Sequence, residues 1–419
     1  MEETKKKKGL ALHWQILIGI GLGIVVGILL CRITPYENWS PYIKWAGDIF
    51  LRGLRMIVIP LVFTSIALGV AGMGNSAALG RIAGKTILYY IVTTAIAAAV
   101  GLTLVNIVKP GVGANLNLAE KVTSVGTGEV SFIDQIVAIV PSNIFESMAK
   151  GDLLPIIFFA VLFGLFMNKV DKKHTGTLSD LFTAIYEVIM KITFFLIRLA
   201  PIGVFSIVAN VVGKQANDPQ ALINMAGSLG VFVLVVWSGL LIQGAVVLPT
   251  LVRVLGKQNP WRHISKMSTV LLTAFSTCSS GAALPINIRD SQEKCGISNK
   301  IASFVLPLGS TINMNGTALY ECVTAIFIAQ AYGIDLTLAQ QVMIIFTALL
   351  AAIGTAGIPM AGMVMLTIVL SAVGLPLEGI GLVLAVEQLC DMPRTCINTY
   401  GDSCGAVIIA HSEGEQLTI

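Results

Sequence analysis

Long apolar runs, separated by short polar stretches, set the pattern of this chain. They lie near residues 13–31, 42–73, 82–108, 131–168, 178–212 and 222–255. Each is long enough to cross ~30 Å of hydrocarbon as a helix, so the pattern predicts six spans in this part of the chain. Beyond Lys266 the pattern changes. Between Lys266 and Arg289 the apolar run is interrupted by Ser276-Thr277-Cys278-Ser279-Ser280-Gly281-Ala282-Ala283-Leu284-Pro285. Each arm is about ten residues, roughly 15 Å as a helix, too short to cross a bilayer. A second interrupted run lies between Gln341 and Leu375, centred on Gly354-Thr355-Ala356-Gly357-Ile358-Pro359-Met360-Ala361-Gly362. Both centres end in two small residues, an aliphatic and a proline. The pattern predicts two re-entrant helical hairpins. The first enters from the cytoplasmic side; the second, after one further span at 300–331, enters from outside. Paired broken segments point to inverted repeats around a midplane site. Two ordinary spans with Gly/Pro kinks are the alternative.

Composition agrees with a polytopic membrane protein. Of 419 residues, 55% are hydrophobic and 12% charged, and mean hydropathy is +0.83, far from a soluble domain. The net charge of +4 is no nucleic-acid signal, because the basic residues are dispersed over loops. Lys5–Lys8 precede the first run; Arg81 and Lys85 follow the second; Lys169, Lys172 and Lys173 the fourth; Arg253, Lys257, Arg262 and Lys266 the sixth. This bias predicts a cytoplasmic N-terminus and a retained first span. Seven cysteines without a CxxC argue against a disulfide or metal framework. The four histidines (13, 174, 263, 411) fall near segment ends and read as interfacial or loop residues. No paired metal-ligand histidines or Ser/His dyad falls in the spans, so no enzyme is predicted.

The densest chemistry lies near the C-terminus. Arg394, Thr395, Asn398 and Asp402 follow Asp391 at offsets of 3, 4, 7 and 11. At about 100° per residue they share one helix face, a sector of roughly 100°. Carboxylates and a guanidinium inside a membrane are costly unless they face a binding site or a polar cavity. Pro393 sits within this helix, where it removes a donor and clashes with the Leu389 carbonyl, predicting a kink beside Arg394.

The span at 300–331 holds Gly309-Ser310-Thr311-Ile312-Asn313-Met314-Asn315-Gly316-Thr317. Asn313 and Asn315 cannot share a face of a regular helix. Local unwinding would free carbonyls and aim both amides into one cavity, an arrangement tolerated at membrane depth only where such a cavity is lined. Oxygen-rich clusters of this kind suit a hard cation such as Na⁺; interhelical glue by the asparagines is the other reading. Glu321 is either a proton carrier or a glutamate hydrogen-bonded to a neighbouring span. Glu387, one turn before Asp391, is equally open.

Four motifs, in order and at the right spacing, carry a resemblance that extends over nearly the whole chain. They are Ser279-Ser280-Gly281, Asn313-Met314-Asn315-Gly316-Thr317, Gly354-Thr355-Ala356-Gly357-Ile358-Pro359, and Asp391-x-x-Arg394-Thr395-x-x-Asn398-x-x-x-Asp402. The chain resembles the glutamate/aspartate transporter family, also called dicarboxylate/amino acid:cation symporters. The resemblance implies an all-α fold with eight spans and two re-entrant hairpins, an elevator mechanism, a homotrimer embedded in membrane lipid, and location in the plasma (inner) membrane. It implies a scaffold of residues 1–76 and 130–214, and a transport domain of 77–129 and 215–419. It implies symport of an acidic amino acid with Na⁺ as a co-transported ion, and H⁺ as a second candidate. By this resemblance Asp391 binds the substrate ammonium and Arg394 its side-chain carboxylate. Thr317, Gly357, Thr395, Asn398, Ser279 and Ser280 complete the substrate contacts. Gly309, Asn313, Asn398 and Asp402 match one sodium site; Thr311, Met314, Ala352, Ile353 and Thr355 a second; Tyr90, Thr93, Thr94, Asn313 and Asn315 a third. Glu321 matches a position associated with proton coupling.

Three residues depart from the family pattern. Asn315 stands where an aspartate is usual, which predicts a weak third cation site. Cys278 stands where archaeal members often carry an arginine. Pro393 adjoins Arg394. A carrier for C4-dicarboxylates or neutral amino acids is the nearest alternative, with Asp391 against the first and Arg394 against the second. An anion channel is the alternative from another class.

Overall fold

The computed structural model describes residues 10, 12–71, 77–113, 137, 139–151, 153–216, 218–353 and 361–419. These residues are helical throughout their regular structure. The first three helices are α1 (Leu12–Ile33), α2 (Tyr36–Ala71) and α3 (Ala77–Val108). Among the described residues of the sequence run at 131–168, α4 (Ile144–Lys150) and α5 (Leu153–Met167) are separate helices. The cause is local: Asn143 caps α4 with its side chain and Gly151 ends it at φ 80°, a conformation that costs glycine nothing. Next come α6 (Lys172–Arg198) and α7 (Ala200–Gln215), bent by 50° at Leu199. Pro201 sits in the first turn of α7, where it lacks no intrahelical donor.

α8 (Pro219–Ile242) continues through a π-helical turn, Gln243–Val247, into α9 (Leu248–Val254). The interrupted segments follow. α10 (Pro260–Thr277) stops at Cys278, which takes φ 51°, and Ser279 caps α11 (Ser280–Glu293). The two helices pack against each other as a hairpin. The span at 300–331 is broken, as its asparagines predict: α12 (Asn299–Ile312) ends at Asn313, and α13 (Asn315–Ala331) starts after Met314. α14 (Leu338–Ile353) and α15 (Ala361–Ala372) also pack together. The centre of that segment, 354–360, lies outside the described residues, and with it Thr355 and Gly357. A short helix, α16 (Ile380–Val383), precedes α17 (Glu387–Ser412).

Among the described residues three helices are long and apolar enough to cross a membrane: Trp14–Ile33, Arg81–Val108 and Leu222–Val254. The bent pair Lys173–Arg198 and Ala200–Lys214 makes a fourth. Two packing devices organise them. Gly19, Gly23 and Gly27 recur every four residues on α1. A Cβ at these positions would lie 2.6, 2.8 and 2.7 Å from the carbonyl oxygens of Pro201, Phe205 and Ala209 on α7. Small residues in this spacing let two backbones meet. The second device is burial of α13, whose residues Asn315–Ala329 are all buried. α13 packs on α3, α17, α14, α15 and α8. It is therefore the axis around which the polar residues gather.

Candidate substrate and cation site

The polar stripe of α17 is buried on one face. Asp391, Arg394, Thr395, Asn398 and Asp402 are 3, 1, 6, 4 and 1% exposed. Arg394 Nη2 donates to Glu387 Oε1 at 2.8 Å and to Asp391 Oδ1 at 2.6 Å. Thr395 Oγ1 donates to the same Asp391 oxygen at 3.3 Å. The guanidinium lies over the Tyr320 ring, 4.5 Å from its centroid, a cation–π contact strengthened by desolvation. Arg394 Nη1 has no hydrogen-bond partner among the described residues, and neither has Glu387 Oε2. One guanidinium thus meets two carboxylates, and one of its donors is unused. Glu321 is fully buried, and neither of its oxygens has a hydrogen-bond partner among the described residues.

Gly362 of α15 closes over this cluster. A Cβ there would lie 2.7 Å from Arg394 Nη1 and 2.9 Å from Cζ. Gly362 is helical without a positive φ. Close approach to the guanidinium, rather than backbone freedom, is what requires glycine. The Cys278 turn also reaches α17: Gln388 Nε2 donates to Cys278 Sγ at 3.2 Å. Ser279 Oγ accepts from the Ala282 N–H at 3.1 Å, and Ser280 Oγ donates to the Ser310 carbonyl at 3.1 Å. Both hydroxyls thus hold the turn. What α11 offers an anion is its N-terminal N–H groups and dipole.

Asn398 links two halves of the stripe. Its Oδ1 accepts from the Gly316 N–H at 2.8 Å, and its Nδ2 donates to Thr317 Oγ1 at 3.0 Å and Met314 Sδ at 3.2 Å. One turn on, Asp402 Oδ1 accepts from Asn313 Nδ2 at 2.8 Å. The Asn313 amide also reaches the Asn398 carbonyl at 3.3 Å. Gly309 faces them: a Cβ there would be 2.6 Å from Asp402 Oδ1 and 2.5 Å from the Tyr90 hydroxyl. Gly309, Asn313, Asn398 and Asp402 therefore converge.

Deeper, Asn315 Oδ1 accepts from Thr94 Oγ1 at 2.8 Å and Thr93 Oγ1 at 3.3 Å. Asn313 Oδ1 and Asn315 Nδ2 have no partner among the described residues. The Tyr90 hydroxyl donates to the Val305 carbonyl at 2.9 Å. Of the remaining set, Thr311 Oγ1 donates to the Leu308 carbonyl, Met314 and Ala352 are buried, and Ile353 ends α14.

One expectation needs correction. His263 is not interfacial: it is fully buried, stacked on Tyr400 with ring centroids 5.7 Å apart. Its position near a segment end misleads because α10 folds back against α17. Pro393 lies inside α17, which continues as helix from Glu387 to Ser412. The Leu389 carbonyl deprived of its helical donor accepts instead from Trp237 Nε1 of α8 at 3.0 Å. Sequence reasoning missed Trp237, Tyr320 and Gln243. A polar Gln243 in an apolar run was the one legible signal; it is fully buried, and its Nε2 donates to the Thr93 carbonyl at 3.3 Å.

A sequence profile of the sodium:dicarboxylate symporter family matches residues 12–412. The chain is 39% identical to the proton/sodium-glutamate symport protein of Bacillus caldotenax, covering 98% of this chain and 96% of that protein. It is 36% identical to the proton/glutamate-aspartate symporter of Escherichia coli K12, covering 96% and 93%. Excitatory amino acid transporter 3 of Mus musculus is 34% identical, covering 97% and 86%. With the profile matched from the first helix to the end of α17, the chain belongs to the sodium:dicarboxylate symporter family.

Proposed function

We propose that this protein is a secondary active symporter that takes up acidic amino acids with Na⁺, H⁺ being a second coupling ion. One observation carries the reading: the buried Arg394 guanidinium, gripped by Glu387 and Asp391 with Nη1 unpartnered among the described residues. Guanidinium offers a planar fork for a carboxylate. The carboxylates around it outnumber the cation, and a low-dielectric site with surplus negative charge favours a cationic group. An α-ammonium on Asp391 answers that demand; a plain dicarboxylate does not. The names of two of these relatives, a glutamate symport protein and a glutamate-aspartate symporter, agree with this chemistry.

In this reading Thr317, Thr395, Asn398 and the N-terminus of α11 hold the α-carboxylate, and Gly357 completes the contacts. The Gly309, Asn313, Asn398 and Asp402 group binds Na⁺. Asn398 serves both ligands, so an ion that orders Asn313 and Asp402 pre-forms the substrate pocket. A second Na⁺ lies among Thr311, Met314, Ala352, Ile353 and Thr355, and a weakened third among Tyr90, Thr93, Thr94, Asn313 and Asn315. Glu321 carries the proton where H⁺ is coupled. The protein sits in the cell membrane as a homotrimer with its N-terminus in the cytoplasm. Eight spans and two re-entrant hairpins, α10–α11 and α14–α15, form a scaffold (1–76, 130–214) and a moving transport unit (77–129, 215–419). The glycine seam joining α1 to α7, and the seating of α3 on α13, support that division. Competition against labelled aspartate tests the substrate: glutamate should compete, succinate weakly, serine least. Equal competition by succinate would favour a C4-dicarboxylate carrier.

A further inference from the structure

Proline at 393 leaves the carbonyl four residues back, Leu389, without its helical N–H. Leu389 and Trp237 are 43 and 42% exposed, and at membrane depth a backbone carbonyl without a donor is expensive, so a substitute donor has structural weight. The structure supplies one from another helix: Trp237 Nε1 of α8, at 3.0 Å. Its position matters. Leu389 lies between Glu387 and Asp391, the two carboxylates that grip Arg394, and Pro393 immediately precedes Arg394. The bond thus holds the first turns of α17 by their backbone at the level where all three charged groups sit. Close packing seats the same helices further along: a Cβ at Gly244 would lie 2.4 Å from Ile397 Cδ1. The α8 helix and its π-helical extension therefore hold α17 on both sides of Arg394.

We propose that Trp237 is a positioning residue for substrate recognition, acting through the Leu389 carbonyl that Pro393 frees. It touches no substrate. It replaces a hydrogen bond that α17 cannot make for itself, and so fixes the direction of the Asp391 and Arg394 side chains. This rests on the reading of those two residues as substrate contacts. The pairing has a direct consequence. With alanine at position 393 the helix regains its own donor, and the indole N–H becomes redundant.

A double-mutant cycle tests this on the full-length protein in liposomes. Trp237→Phe keeps a ring and removes the donor; Pro393→Ala restores the helical N–H. In the native background W237F should raise the KM for aspartate about five- to tenfold with little change in maximal rate, the size of one lost hydrogen bond. In the P393A background the same change should move KM less than about twofold. Thermal unfolding of the detergent-solubilised proteins reads the cycle without substrate: W237F should lower Tm more in the native background than in the P393A background. Equal effects of W237F in both backgrounds, or none in the native one, would overturn the proposal. If the native protein takes up no aspartate but the Tm cycle shows the coupling, the pairing stands and the substrate reading fails. Absence of coupling in Tm and KM alike, with normal uptake, sinks only the pairing.

Discussion

Replacing Gly362 by alanine puts the geometry around Arg394 to a direct test. The new Cβ would sit 2.7 Å from Nη1, where ordinary contact begins near 3.4 Å. The guanidinium must therefore retreat by about 0.7 Å. Retreat is obstructed on its other sides, because Nη2 is bonded to Glu387 and Asp391 and the Tyr320 ring lies under Cζ. Relief requires breaking one of those contacts or pushing α15 away. Overpacking of this kind costs about 1–3 kcal/mol. If that cost falls on substrate binding, KM for aspartate rises roughly 5- to 150-fold. The assay is initial-rate uptake of labelled aspartate into liposomes at saturating Na⁺, with Tm measured in parallel. An unchanged KM together with an unchanged Tm would refute the reasoning, since every route out of the clash breaks a contact that one of the two assays reads.

Other outcomes follow from the same geometry. Asn315→Asp places a unit charge where Thr93 and Thr94 already converge, and should make uptake respond to lower sodium; an unaltered sodium titration would contradict the reading of the third cation site. Gly23→Val pushes a side chain into the Phe205 carbonyl of α7 and should cost about 1–3 kcal/mol in unfolding experiments, with KM unchanged because neither helix carries a candidate site residue. The Glu413 carboxylate, bonded to Arg81 and Lys85 at the end of α17, is held down to about 2 by those cations. A depressed pKa contributes stability above the unfolded value near ~4.3 and loses it as pH falls through about 2. Glu413→Gln should therefore leave the pH profile of Tm flat between about pH 6 and 8, and reduce the fall in Tm on acidification below about 4; a new slope near neutrality would contradict this.

The stripe on α17 was legible because helix periodicity alone puts Asp391, Arg394, Asn398 and Asp402 on one face, and the bilayer forbids leaving them in lipid. The break at Asn313–Met314 was legible for a related reason: two amides two residues apart cannot point one way without local unwinding. What the sequence concealed is long-range. Nothing near Gly362 announces that a guanidinium lies above it. Trp237 and Leu389 are 152 residues apart, and periodicity says nothing about which helix will answer an orphaned carbonyl. Local rules at Pro393 give only the penalty of the lost donor; the compensating donor comes from α8. His263 misled, since a hairpin that folds back buries residues that look terminal.

The central claim is that a gradient drives uptake of an acidic amino acid through the Arg394 site. The most direct measurement is uptake of labelled aspartate by purified protein in liposomes, with Na⁺ and pH gradients imposed separately. Accumulation above the external concentration under an inward Na⁺ gradient, a pH gradient or both, abolished by Arg394→Ala, is the predicted result. Aspartate that only equilibrates under every gradient, or accumulation that survives Arg394→Ala, would contradict it.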